Sequence, residues 1–363
     1  LAVATSFSLI LIMRPIYFLF LAMCLGFKTY AQPGFEYRQK LGFLLAHRGL
    51  MAHLPQAPAI AGEFSYIYRT SNKKPWHESY RQPLVGGTLF FGSVGNNQIL
   101  GHFTGLYGFV ELPIVKRKQY RLDFKFATGL GYTNKPFDPE LNPENVAIGS
   151  RVNAMMCFAL KQSWRFENYA LTFGIDMTHF SNASYQMPNL GVNVPYLSLG
   201  VQKFMPNARK EKLPTALERP HFTYGFSAIV SAKEMNPKGV GRYPVLAAAL
   251  FARKYLSPKA GLEASVDVIY KTSLLSHPSY PQAAGLDPLQ IGVFIGYVQP
   301  FDRLHFIYGV GTYLRDVLQP DEPIYIRLGS RYAVRPNLDA FATLKTHYAK
   351  ADYMELGLAY HFK

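Results

Sequence analysis

Tyr120-Arg121-Leu122-Asp123-Phe124-Lys125-Phe126 puts a bulky apolar side chain at every second position and a charge at each position between. An extended chain sends successive side chains to opposite faces, so this segment has one apolar face and one charged face. Leu262-Glu263-Ala264-Ser265-Val266-Asp267-Val268 repeats the pattern, and Leu338-Asp339-Ala340-Phe341-Ala342-Thr343-Leu344 follows it less strictly. Such period-two runs recur from about residue 36 to the end, with no long 3.6-residue periodicity and no Gly-rich phosphate loop among them. In a soluble sandwich the apolar faces would meet in a core. In a transmembrane barrel they face lipid, and the polar residues face the lumen.

Composition narrows the choice. The 363 residues are 49% hydrophobic and only 17% charged, with 27 Phe and 25 Tyr, which is more apolar surface than a disordered chain carries. The mean hydropathy is -0.01. Beyond the N-terminal region the longest apolar run is Val245 to Ala252, far short of the roughly 20 residues of a spanning helix, so a helical membrane bundle is excluded.

Three features favour the barrel over the sandwich. Aromatic residues gather near segment ends (Tyr120, Phe126, Tyr132; Tyr308, Tyr313; Tyr353, Tyr360, Phe362), as interfacial girdles require. Short and long connections alternate. The chain closes on Tyr353-Met354-Glu355-Leu356-Gly357-Leu358-Ala359-Tyr360-His361-Phe362, which is similar to the C-terminal strand of bacterial outer-membrane barrels.

The expected fold is an all-β, antiparallel outer-membrane barrel of about sixteen strands. They lie at approximately 36–47, 59–71, 83–94, 101–115, 119–133, 146–162, 169–179, 192–205, 220–233, 243–255, 259–271, 289–299, 303–316, 322–333, 337–347 and 351–362. With the N-terminus periplasmic, connections after even-numbered strands should be short. Val115-Lys116-Arg117-Lys118, Arg165-Phe166-Glu167-Asn168, Leu256-Ser257-Pro258-Lys259, Gln299-Pro300-Phe301-Asp302 and Val334-Arg335-Pro336-Asn337 meet that rule. The stretches after Arg69 and Phe204 do not, which leaves counts of twelve or fourteen open. No internal repeat, low-complexity tract or linker marks a second domain, so residues 32–363 are read as a single transmembrane barrel domain.

Residues 1–31 read as a secretory signal starting at Met13, with Arg14 as the positive n-region and Ile16 to Phe27 as the apolar core. Thr29-Tyr30-Ala31 then supplies a cleavage pattern ahead of Gln32. An uncleaved anchor over residues 1–27, interrupted by Arg14, is the alternative. Cys24 lies in this segment, so Cys157 alone remains, and neither an intramolecular disulfide nor a cysteine-rich metal site can form. Removing Arg14 and Lys28 takes the formal charge from +15 to 15 − 2 = +13. On an exported protein that charge points to an anionic membrane surface or a phosphorylated lipid rather than nucleic acid.

One stretch stands apart: Gly174-Ile175-Asp176-Met177-Thr178-His179-Phe180-Ser181-Asn182-Ala183-Ser184, then Pro188-Asn189-Leu190-Gly191-Val192-Asn193. It resembles the active-site motif of the lipid A 3-O-deacylases and larger acyloxyacyl hydrolase-like relatives, in which His-x-Ser-Asn-Ala-Gly is followed by Pro-Asn-x-Gly-x-Glu. The match is at His179, Ser181, Asn182, Ala183, Pro188, Asn189 and Gly191, within residues 171–205; elsewhere the likeness is architectural. The resemblance implies a serine esterase of the outer membrane acting on an acyl ester of lipopolysaccharide, with no metal or cofactor. By it, Ser181 is the nucleophile and His179 its general base, while Asn182 and the Ser184 backbone N–H donate to the oxyanion. A hydroxyl is a weak nucleophile until an imidazole takes its proton, and the developing oxyanion needs fixed donors.

Two positions depart from the motif. Ser184 stands where the family has Gly, and Asn193 stands where it has the acid that orients the histidine. An amide can hold an imidazole but cannot stabilise the imidazolium by charge. The equivalent loss in a Ser-His-Asp enzyme is about 10⁴ in kcat, or roughly 5–6 kcal/mol of barrier. Asp176 is the nearest carboxylate, on the opposite strand face.

Parity gives support that does not depend on the resemblance. Leu171, Phe173, Ile175 and Met177 form an apolar row that continues into His179 and Ser181, and Asn193 shares parity with Leu197, Leu199 and Val201. The three polar residues are therefore expected to project outward at the membrane rim, where polar groups are costly unless they have a task. Plainer roles stand beside this one: an interfacial His179, turn chemistry for Ser181-Asn182 and Pro188-Asn189, and a loop-capping Asn193. The basic stretches 116–118 and 209–212 read as solvated turns. His47, His53, His77, His102, His221 and His305 show no metal-ligand spacing. The competing function is an inactive barrel serving as a porin or structural protein, with Arg121, Asp123, Lys125, Glu263 and Asp267 lining its lumen.

Overall fold

The alternation seen in residues 120–126 recurs along the described residues, which form sixteen antiparallel strands in the computed structural model. The structure describes residues 32–70, 74–205, 222–235, 241–348 and 350–362; the expected signal segment, Cys24 and the basic stretch 209–212 lie outside them. The strands are β1 (Gln32–Gly42), β2 (Ala59–Arg69), β3 (Leu84–Ser93), β4 (His102–Lys116), β5 (Tyr120–Thr133), β6 (Val152–Phe166), β7 (Tyr169–Ser181) and β8 (Val192–Phe204). They continue with β9 (Phe222–Glu234), β10 (Arg242–Ser257), β11 (Ala260–Lys271), β12 (Leu289–Phe301), β13 (Leu304–Arg315), β14 (Ile324–Arg335), β15 (Leu338–His347) and β16 (Lys350–His361). Among the described residues no helix is long and apolar enough to cross a membrane.

The expectation of one sixteen-stranded wall is corrected. The strands close twice, as β1–β8 and as β9–β16, through β1 pairing with β8 and β9 pairing with β16. The chain accordingly divides into two compact units. Alternation specifies which face of a strand meets lipid, but it does not specify which strand returns to pair with the first. Closure is a property of strand number, tilt and register together. The long stretch after Phe204, which did not fit a periplasmic turn, is where one closed barrel ends and the next begins.

Each wall separates its faces as the period-two pattern requires. In the first barrel Leu130, Leu160, Ile175, Leu197 and Leu199 are exposed on the outside, Leu199 by 66%. In the second, Val230, Leu250, Ile295, Val310 and Leu356 play the same part. So much exposed aliphatic surface around both walls is the outward band of a membrane barrel. Aromatics flank it: Tyr120 packs on Trp164 beside the short turns at 117–119 and 167–168, and Tyr224, Tyr360 and Phe362 cluster in the second barrel.

The interiors are filled rather than open, which the porin reading did not foresee. Asp123, Lys125, Glu263 and Asp267 do point inward, but they are inaccessible and engaged with other charges. Glu63 receives Lys40 at 2.8 Å and lies within 3.7 Å of both Arg38 and Lys125; Lys161 bridges Glu111 at 2.7 Å and Glu36 at 3.2 Å. In the second barrel Glu263 sits between Arg253 and Arg331, while Arg327 holds Asp267 and Glu355. Eight strands enclose a bore that side chains can fill, and charges buried there must be paired.

An apolar plug closes the long-loop end of the first barrel. Phe90, Phe103, Phe180 and Tyr196 from the wall meet Leu44, Met51, Leu54, Leu100, Ala147 and Ile148 from the connections. This plug explains the two strands whose boundaries moved most. Leu44 and Ala147-Ile148 are apolar because they cap the bore, so β1 stops at Gly42 rather than 47, and β6 begins at Val152 rather than 146.

Candidate active site

β7 runs from Tyr169 to Ser181 with Ala170, Thr172, Gly174, Asp176 and Thr178 inward and Leu171, Phe173 and Ile175 exposed outside. The same alternation puts Phe180 inside, where its ring packs 4.7 Å from Phe103 and 5.7 Å from Phe90. Phe180 thus anchors the end of the strand and turns its neighbours His179 and Ser181 to the outer face. Register then decides what His179 meets: it pairs directly with Asn193 of β8.

The pair spaced i and i+2 does touch. His179 Nε2 lies 2.9 Å from Ser181 Oγ, and His179 Nδ1 lies 2.6 Å from Asn193 Oδ1. A carboxamide oxygen can only accept, so Nδ1 carries the hydrogen and Nε2 keeps its lone pair for the serine hydroxyl. That is the tautomer a general base needs. His179 and Asn193 are half-buried on the outward row, while Ser181, which parity also expected to project outward, is buried at the strand end.

Asn193 is therefore the group bonded to the Nδ1 side of the His179 ring. Asp176 does not take over: it is buried inside the barrel, 2.7 Å from Lys40 Nζ and hydrogen-bonded by the Thr178 hydroxyl. Cys157 faces the same interior and is free and buried.

The residues after Ser181 are shaped by their own amides. The Asn182 backbone N–H donates to Asn189 Oδ1 at 2.9 Å, and Asn182 Nδ2 donates to the Gln186 carbonyl at 2.8 Å. Asn189, a match to the motif for which turn chemistry was the plainer alternative, is the acceptor that draws this segment together. Ala183 and Ser184 have φ of 53° and 62°. A left-handed backbone costs an L-residue roughly 1–2 kcal/mol, which accounts for the glycine at the second of these positions in the motif. Ser184 keeps the N–H that the oxyanion assignment needs and bears that cost.

Gly191 has φ 81°, and a Cβ there would stand 2.9 Å from His179 Cε1. Its N–H donates to the Ala147 carbonyl at 2.9 Å. The glycine lets the backbone pass against the imidazole.

Sequence reasoning passed over one residue, His47. Phe43 N–H donates to the Pro195 carbonyl and Leu45 N–H donates to the Asn193 carbonyl, so the chain leaving β1 continues along β8. This brings His47 Nδ1 to 3.1 Å from Asn193 Nδ2, while its Nε2 lies 3.0 Å from the Leu190 carbonyl. The two residues are 146 positions apart, and no local spacing could have joined them.

The chain matches two family models. The one described as lipid A 3-O-deacylase (PagL) covers residues 60–202, and the one described as acyloxyacyl hydrolase, C-terminal domain, covers residues 221–363. The first spans most of the barrel that carries His179, Ser181 and Asn193, and the second spans the other barrel. The chain belongs to the lipid A 3-O-deacylase family. No curated protein matches it. Among solved structures, a mutant porin of Rhodopseudomonas blastica shares 8% identity over 91% of this chain and 99% of that one, with a TM-score of 0.18. A bacterial polysaccharide outer membrane secretin shares 12% over 93% and 100%, with a TM-score of 0.23. Superposition at that level carries no weight for fold or function.

Proposed function

We propose that the protein is a Gram-negative outer-membrane esterase that removes an acyl chain from lipid A, using Ser181 as nucleophile, His179 as base and Asn193 as the group that orients the base. The observation that carries the reading is the hydrogen-bonded Ser181–His179–Asn193 line on the outer face of the wall, at the end of a row of exposed aliphatic side chains. A substrate whose acyl chains lie in the membrane reaches such a site laterally. If the N-terminus is periplasmic, the connection between β7 and β8 lies at the outer leaflet, where lipopolysaccharide resides.

In the reaction, Ser181 Oγ forms a bond to the ester carbonyl carbon as its proton passes to His179 Nε2. The backbone N–H of Ser184 and the amide of Asn182 are the donors assigned to the oxyanion. Collapse breaks the bond to the sugar oxygen, which takes the proton back from His179. Water then repeats the sequence on the acyl-enzyme, releasing the fatty acid and restoring Ser181.

The test is the lipid A mass in cells carrying the wild-type chain or Ser181→Ala at equal levels of folded barrel. Loss of one hydroxyacyl mass with the wild type alone is the expected result. Unchanged lipid A in both, followed by inactivity of the purified protein on phospholipid esters, would sink the esterase and leave the inactive barrel.

A further inference from the structure

An amide is a poorer partner for a catalytic imidazole than a carboxylate in a second way besides charge. Both oxygens of a carboxylate accept, so either one serves. Asn193 presents one acceptor and one donor group, and only one of its two orientations gives His179 the working tautomer. With Oδ1 toward His179, Nδ1 is protonated and Nε2 is free to take the serine proton. With the amide turned over, Nδ2 donates to Nδ1, the ring hydrogen moves to Nε2, and Ser181 loses its base.

Something must hold the productive orientation, and we propose that His47 is the positioning residue that does so. The exposed His47 has its Nε2 3.0 Å from the Leu190 carbonyl, an acceptor, so Nε2 carries the hydrogen when that bond is made. A neutral His47 with its hydrogen on Nε2 has a bare Nδ1, which lies 3.1 Å from Asn193 Nδ2. Hydrogen-bond direction therefore runs from Ser181 O–H to His179 Nε2, from His179 Nδ1–H to Asn193 Oδ1, from Asn193 Nδ2–H to His47 Nδ1, and from His47 Nε2–H to Leu190 O. A main-chain carbonyl at one end thus sets the tautomer at the other. The inference rests on the esterase reading of the same site.

His47 Nδ1 also lies 3.3 Å from the Leu45 carbonyl. A His47 tautomer with its hydrogen on Nδ1 would donate to Leu45 O instead and leave Asn193 Nδ2 without its acceptor, so the proposed line requires the hydrogen on Nε2, toward Leu190 O.

The experiment uses the full-length protein in lipopolysaccharide-containing vesicles, with release of hydroxy fatty acid as readout. His47→Phe should lower kcat by about 10- to 100-fold at unchanged KM, the effect of losing one well-placed hydrogen bond to the base's partner. His47→Gln, whose side-chain oxygen can accept the same hydrogen, should lose less. In an Asn193→Glu background the carboxylate needs no orienting, and His47→Phe should cost under about threefold.

Equal losses from His47→Phe in both backgrounds would show a merely structural role and overturn the inference, as would His47→Gln being as impaired as His47→Phe. A silent His47→Phe alongside an inactive Ser181→Ala overturns this inference alone. A fully active Ser181→Ala removes the esterase reading and this one with it.

Discussion

The two barrels finish their seventh strands differently. β7 ends on His179-Phe180-Ser181 and is followed by a ten-residue connection, 182–191, before β8; β15 ends on His347 and is followed by only 348–349 before β16. Both strands end close to a histidine. His179 shares the outward parity of Leu171 and Ile175, whereas His347 shares the inward parity of Asp339 and Phe341 and is buried, its Nε2 hydrogen-bonded with the Tyr313 hydroxyl at 3.0 Å. Because a strand alternates with period two, one position decides whether an imidazole meets a membrane lipid or a packed lumen. The architecture is shared, and the candidate chemistry depends on parity, on the serine two residues further along and on a connection long enough to follow it.

The largest effect expected from this contrast is at Ser181. Ser181→Ala should lower lipid A deacylation by about 10⁴-fold or more, as loss of a serine nucleophile does elsewhere. His347→Ala in the other barrel should leave the rate per folded molecule within about twofold. Rates normalised to folded barrel check both, and a comparable fall in both variants would erase the distinction between the barrels.

Next in size is the exchange at Asn193. Asn193→Glu restores a charge beside the imidazolium, and the corresponding amide-for-acid change in a Ser-His-Asp enzyme costs about 10⁴ in kcat, or roughly 5–6 kcal/mol. A gain of at least about tenfold in kcat is expected, with little change in KM, since the charge acts on a group that becomes charged only as the reaction proceeds. Single-turnover kinetics on purified lipopolysaccharide would measure it. A rate no higher than wild type would show that the amide, as held here, already does all the orienting the site requires.

What could be read from the sequence, and what could not, divides along the same line between local and long-range information. Strand faces follow from alternation, so the outward row of β7 and the inward charges Asp123 and Glu263 were legible one segment at a time. The short turns were legible because Pro258-Lys259 and Pro336-Asn337 interrupt the pattern plainly. The double closure was not, since the pairing of β1 with β8 leaves no mark on either strand alone. His47 was missed for a related reason: its partner Asn193 is brought to it by β1–β8 register, and its own neighbours in sequence show only a loop. The apolar plug blurred two strand boundaries because residues that cap a bore look like residues that form a wall.

In stability rather than activity, the barrels should behave alike. Glu63 neutralises Lys40 with Arg38 and Lys125 close by in the first lumen, and Glu355 receives Arg327 in a two-oxygen fork in the second. Removing one partner of a buried ionic network costs about 3–5 kcal/mol, because the remaining charges are left uncompensated. Glu63→Gln and Glu355→Gln should each destabilise folding by about that amount, measured by urea unfolding in lipid vesicles. A change under about 1 kcal/mol in one barrel only would mean that its lumen admits enough water to solvate the orphaned cation.

The last of these effects separates the site from the scaffold that carries it. Gly191 is held at φ 81° with its N–H on the Ala147 carbonyl, and a methyl group there would meet His179 Cε1 at 2.9 Å. The ring cannot retreat inward, because Phe180 and the plug fill that side, and Asn193 fixes Nδ1 from β8. The added methyl is therefore relieved by turning the imidazole, which lengthens its contact with Ser181. A misplacement of about 1 Å is worth about 10²-fold in rate, or roughly 2.7 kcal/mol of barrier. Gly191→Ala should accordingly lower kcat by about that factor while shifting the unfolding free energy by only about 1–2 kcal/mol, the cost of an L-residue in that backbone region. Kinetics and urea unfolding on the same preparation would resolve the two. If stability fell and kcat did not, the imidazole would have room the structure denies it, and the close approach of backbone to base would have no catalytic consequence.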